Sequence, residues 1–163
     1  MGINEIWCDI LKSSIKETIT HFGEILIENG DVSLSPNIPK RKLRKAIKTY
    51  GGSIATMENV ELLIDNTLFR SAKDGMMITQ SHLLGRSGPG GVVCIELSEI
   101  STILPELRSF AKFPLPGIII NDTHFIALPG LAREIKSVGQ SGIIVLTAML
   151  IQALGLEIDL NNQ

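Results

Sequence analysis

Residues 65–79 read DNTLFRSAKDGMMIT, from Asp65 to Thr79. A strand-like run, the tight polar turn Ala72-Lys73-Asp74-Gly75 and a second strand-like run from Gly75 to Thr79 are packed into this short span. Parallel neighbours need a crossover of a dozen residues or more, so such spacing predicts an antiparallel pair. Outward from it, Leu62–Asn66, Gly75–Thr79, Leu83–Arg86, Val92–Leu97, Ile118–Ile120 and His124–Ala127 are short runs rich in branched residues. Between them lie Gln80-Ser81, Ser87-Gly88-Pro89-Gly90-Gly91 and Asn121-Asp122, which favour turns. The expectation is an antiparallel meander.

Helices flank this β region. Ile3, Ile6, Trp7, Ile10, Leu11, Ile15, Ile19 and Phe22 recur at three- and four-residue steps, with Glu5, Asp9, Lys12, Lys16 and Glu17 opposite, which predicts an amphipathic helix. Residues 24–34 either continue it or fold back at Asn29-Gly30, a hairpin signal. After the breaker Ser35-Pro36-Asn37-Ile38-Pro39, the stretch PKRKLRKAIKTY predicts a second helix that buries Leu43, Ala46, Ile47 and Tyr50 and stops at Gly51-Gly52. The run Gly142–Leu156, GIIVLTAMLIQALGL, is fifteen residues, short of the ~20 that span a bilayer, and predicts a core helix covered nearly all round.

The 163 residues, 44% of them hydrophobic, with a formal charge of -2 and a mean hydropathy of +0.26, are the composition of one soluble globular domain. The expected organisation is a helical segment over 1–52 and a β domain with its C-terminal helix over 53–160, as one folding unit, with disorder only at Asn161–Gln163. The first residues lack the features of a signal peptide, and Cys8 and Cys94 lie in apolar segments far apart. Both observations favour a cytoplasmic protein with reduced, buried thiols.

An Asp-x-Thr-apolar-Phe stretch, Asp65 to Phe69, is followed by the Ser71-Ala72-Lys73-Asp74-Gly75 turn and the strand ending Met77-Ile78-Thr79. Together with the preceding Ile38-Pro39-x-Lys-x-Leu-x-x-Ala-Ile, this resembles a family of small bacterial pleckstrin-homology-like domains. The likeness runs through roughly Ile38 to Leu97. It implies α+β architecture: N-terminal helices, then two roughly orthogonal antiparallel sheets of three or four strands, closed by the apolar C-terminal helix. It implies a binding module and no enzyme. Arg70 stands where the family pattern has Gly, so either the local turn differs or Arg70 serves a contact.

No motif supplies catalysis. His21, His82 and His124 occur in separate segments without paired metal-ligand spacing, and no Ser or Cys sits in a nucleophile elbow. Gly85–Gly91, GRSGPGG, lacks the Gly-Lys-Ser/Thr ending of a phosphate loop and is expected to be a hairpin loop. The pairs Glu58/Glu61 and Glu96/Glu99 have the spacing of surface acids. No cofactor or metal is expected.

The basic helix is the feature that requires an explanation. Lys40, Arg41, Lys42, Arg44, Lys45 and Lys48 make six cations in nine residues, leaving 9 cationic and 17 acidic side chains elsewhere, a net of -8. One reading docks this helix on the chain's own acidic body. The other gives it an external anionic partner, for which nucleic acid is disfavoured by the 4% aromatic content and the pI near 5.9. The candidate binding residues are Lys40, Arg41, Arg44, Lys45, Lys48, Arg70 and Lys73. The favoured function is a non-enzymatic bacterial protein-binding module, most concretely an immunity protein that neutralises a nuclease-type toxin of a contact-dependent growth-inhibition system. The alternative is a peripheral module that binds anionic lipid or polyanion through Lys40–Lys48. The apolar last helix also leaves a homodimer open.

Overall fold

The computed structural model describes residues 3–67, 71–87 and 91–157, with side chains from Ile15 onward. The architecture is α+β with three antiparallel sheets. Helix α1 (Ile3–Leu26) is followed by strand β1 (Val32–Leu34), helix α2 (Lys40–Ala46) and strands β2 (Val60–Asp65), β3 (Gly75–Thr79), β4 (His82–Arg86) and β5 (Val92–Glu96). Next come β6 (Ile103–Phe110), β7 (Phe113–Ile120), β8 (His124–Ala127), the short pair β9 (Glu134–Ile135) and β10 (Gln140–Ser141), and helix α3 (Gly142–Leu154). Strands β1 to β5 form a five-stranded meander, and β6 to β8 form a three-stranded one.

The consecutive apolar residues Leu62-Leu63-Ile64 of β2, Met76-Met77-Ile78 of β3 and Leu83-Leu84 of β4 fit burial on both faces of the larger sheet. Leu62, Ile64, Met76, Ile78, Leu83 and Ile95 point one way, into a core shared with Ile15, Ile19 and Leu26 of α1, Leu146, Met149 and Leu150 of α3, and Ile118, Ile120 and Ile126 of the smaller sheet. Leu63, Met77 and Leu84 point the other way, onto Leu43, Ala46 and Tyr50 below α2. Both cores draw residues from either side of position 52.

Strands β3 and β8 keep their expected bounds, and β2, β4 and β5 shift by a residue or two. Asn29-Gly30 makes no strand-to-strand hairpin: Gly30, at φ 83°, ends a 3-10 turn after α1 and releases the chain into β1. Helix α1 finds its partner surface in α3 rather than in α2. Helix α2 continues as a π-helical turn over Ile47–Gly51, with Gly52 at φ 58° ending it. Most of α3 is covered as expected, yet Ile144 remains 43% exposed.

The β6–β7 hairpin departs most from expectation. Only Ile118–Ile120 reads as strand in the sequence, but β6 and β7 pair over eight residues each, from Ile103↔Ile120 to Phe110↔Phe113. Three prolines hide it. The two-residue turn Ala111-Lys112 has positive φ at both positions (47° and 70°), the type I′ geometry, so Phe110 and Phe113 form a hydrogen-bonded pair. The alternation of antiparallel bonding then turns the main-chain groups of Pro105, Pro114 and Pro116 away from the β6–β7 ladder, where a missing N–H costs nothing.

Candidate functional site

The sequence motif around Asp65 is built as a structural knot. Asp65 closes β2 and is only 2% exposed. Its Oδ1 accepts from the Thr67 amide (3.0 Å), the Thr67 hydroxyl (2.6 Å) and the Ala72 amide (3.1 Å), while Lys42 Nζ lies 2.9 Å from Oδ2. Burial alone raises the Asp65 pKa. The hydrogen bonds from Lys42 and Thr67 and the ammonium charge outweigh it and hold the carboxyl below its usual value. Thr67 Oγ1 in turn accepts from the Ser71 amide, and Asn66 ties this loop to β8 by donating to Ala127 O (3.1 Å). Gly75 at φ 143° closes the loop; a Cβ there would lie 1.9 Å from Ile64 O.

The basic helix divides into one docked cation and an exposed face. Lys42 turns inward to Asp65, whereas Lys40, Arg41, Arg44, Lys45 and Lys48 are exposed on the side of α2 and its π turn opposite Leu43, Ala46 and Tyr50. Lys40 and Arg44 also rim a shallow cleft of ≈ 490 Å³ with Ser35, Ile38, Met57 and Glu58. Lys73 is exposed on the β2–β3 loop, and Arg70 lies outside the described residues. Beneath the helix the Tyr50 hydroxyl is buried without a hydrogen-bond partner among the described residues; burial, with Asp65 and Asp74 nearby, pushes its pKa well up.

Two sequence expectations are corrected here. Cys94 is a free, exposed thiol rather than a buried one, because it lies on β5, the edge strand of the larger sheet, where only Ile95 is buried. Glu61 is buried rather than a surface acid, with Gln80 Nε2 3.4 Å from its Oε1. The Cys8 side chain and Gly88–Gly90 of the glycine-rich loop lie outside the described residues; the ends of that loop join β4 to β5 as a hairpin connection. His82 contacts Ser81 Oγ at 2.8 Å, His21 and Phe22 meet edge to face, and His124 is exposed on β8. No group of three His, Cys, Asp or Glu among the described residues is arranged to hold a metal ion. No helix among them is long and apolar enough to cross a membrane.

The surface that the sequence reading misses is the β6–β7 arm. Leu104, Leu107, Phe110 and Phe113 are 54%, 70%, 62% and 73% exposed. The register puts Leu104, Arg108, Leu115, Phe110 and Phe113 on one face, and Leu107 with Pro116 on the other. Near the arm's base Arg108 stacks over the Phe125 ring at 4.3 Å, and its Nε lies 3.0 Å from Glu106 Oε1. A cleft of ≈ 640 Å³ opens beside it, lined among others by Asn66, Ser87, Val93, Arg108, Phe110 and Phe125. Two phenylalanines at the tip of a two-residue hairpin form the kind of apolar cluster that marks protein contact sites. The one local alternation, Glu106-Leu107-Arg108, is too short to mark a strand, and Pro105, Pro114 and Pro116 argue against one.

No protein family, curated protein or solved structure matches the chain. Its functional reading therefore rests on its own geometry.

Proposed function

We propose that this chain is a non-enzymatic protein-binding module of pleckstrin-homology-like architecture. The order of elements supports the architecture: a four-stranded meander β2–β5, a three-stranded meander β6–β8 and the closing helix α3, with β1 added at one edge. The observation that carries the binding role is the exposed apolar arm, with Phe110 and Phe113 at its tip. Exposed aromatic anchors beside a cleft are the features that dominate protein interfaces. In its most concrete form the module is a bacterial, cytoplasmic immunity protein that neutralises a nuclease-type toxin of a contact-dependent growth-inhibition system. The net charge of -8 outside the basic helix supports this form, since acidic surface complements a cationic nuclease.

Co-purification with the product of the adjacent gene, together with rescue of cells that express that product, tests the reading. A stoichiometric complex and rescue are expected. Absence of both contradicts the immunity reading.

A second reading rests on α2. Five cations on one solvent-facing helix side, with only Lys42 neutralised internally, form an electrostatic footprint for an anionic membrane surface or polyanion. It predicts binding to acidic vesicles that falls steeply with salt. Binding that survives Arg41→Glu, Arg44→Glu and Lys45→Glu together contradicts it.

A further inference from the structure

Among the described residues strand β6 is an edge of its sheet, paired to β7 on one side only. The bonding alternation set by the Ala111-Lys112 turn leaves the N–H and C=O groups of Ile103, Leu107 and Ser109, and the Pro105 carbonyl, directed at that open edge. We propose that this edge pairs with β6 of a second copy of the chain, antiparallel and centred on Leu107, which joins two three-stranded sheets into one of six strands.

The side chains of β6 are complementary to themselves about that centre. Pairing Leu107 with its own copy places Glu106 opposite the second copy's Arg108, and Leu104 opposite the second copy's Phe110. The 70% exposed Leu107 then meets its equivalent across the two-fold axis. Within each chain Glu106 already contacts Arg108 at 3.0 Å, so the dimer would gather two carboxylates and two guanidiniums in one cluster. Centring on Glu106 or Arg108 instead would oppose like charges. Pro105 has no N–H to give the second copy's Ser109 carbonyl and so forfeits one bond in each copy, while Leu107 and Ser109 still donate across the seam, to the second copy's Leu107 and Pro105 carbonyls, which confines pairing to a short central segment and disfavours open-ended stacking. Phe110 lies beside the second copy's Leu104 in this pairing while Phe113, on β7, stays clear of the seam, and the inference does not depend on the identity of any other partner.

Light scattering or sedimentation across a concentration series, with circular dichroism to confirm folding, tests the proposal. The wild type is expected to dimerise. Glu106→Arg and Arg108→Glu, each alone, are expected to raise the concentration needed for dimerisation by about tenfold or more, and the double swap to restore it. A wild type monomeric throughout, single variants that dimerise like the wild type, or a double swap that stays monomeric while folded would each overturn it.

Discussion

Lys42 Nζ sits 2.9 Å from Asp65 Oδ2, joining the only inward-turned cation of the basic helix to the buried end of β2. Because the Asp65 carboxyl is held below its usual pKa in the folded protein, it contributes stability above the unfolded carboxylate pKa, and that contribution is lost as pH falls through the folded value. Lys42→Met leaves the carboxylate buried with its hydrogen bonds alone, at a cost of about 3 kcal/mol. Removing the ammonium also moves the onset of acid unfolding to higher pH. Thermal denaturation of both proteins across the acid range checks both outcomes.

Tyr50 carries the opposite sign. Its folded pKa lies above the unfolded value, so its contribution to stability is fully present below about pH 10 and is lost as pH rises further. Since the buried hydroxyl has no partner among the described residues, Tyr50→Phe should be neutral or stabilising by about 1 kcal/mol near neutrality. The variant should also resist alkaline unfolding better than the wild type. Chemical denaturation at neutral and alkaline pH reads both effects.

Glycines in this chain differ in what they tolerate. Gly75→Ala would drive a methyl to within 1.9 Å of Ile64 O and is expected to cost about 4 kcal/mol or to prevent folding. Gly52→Ala, at φ 58° and ψ -140° with open space around the new atom, should cost about 2 kcal/mol. Comparing the two melting temperatures with the wild type separates backbone collision from backbone strain.

The exposed face of α2 should tolerate charge reversal without loss of fold. Lys40 faces Arg44 and Arg41 faces Lys45 at i,i+4 spacing, so Lys45→Glu should stabilise by about 0.3 kcal/mol at low salt. The gain should vanish as salt is added. Melting curves at two ionic strengths provide the check.

What was legible in the sequence was what burial writes locally. Helix α2 shows its narrow stripe of Leu43, Ala46, Ile47 and Tyr50, and β3 is bracketed by Gly75 and Thr79, so the main meander could be read directly. The knot at Asp65 could not, because it depends on Lys42 reaching across from another element and on main-chain amides that carry no sequence mark. The arm stayed hidden for a different reason. Prolines normally argue against a strand, and only the register reveals that Pro105, Pro114 and Pro116 stand where no ladder bond is needed. The candidate cations Lys40, Arg41, Arg44, Lys45 and Lys48 share one face as helical spacing requires, and Lys42, which the same spacing sets off that face, is the one that docks, although its partner Asp65 carried no sequence mark.

The proposed protein-binding role rests on the exposed arm. Phe110 and Phe113 are exposed, so Phe110→Thr with Phe113→Thr, which keeps β propensity and opposes no like charges in this cross-strand pair, should cost folding stability only about 1 kcal/mol, yet remove anchors worth about 2 kcal/mol or more in a complex. The most direct measurement is survival of cells that express the adjacent gene's product alongside either the wild-type chain or this folded double variant. Rescue by the wild type and loss of rescue by the variant is the predicted result; equal rescue by both would contradict the arm's role.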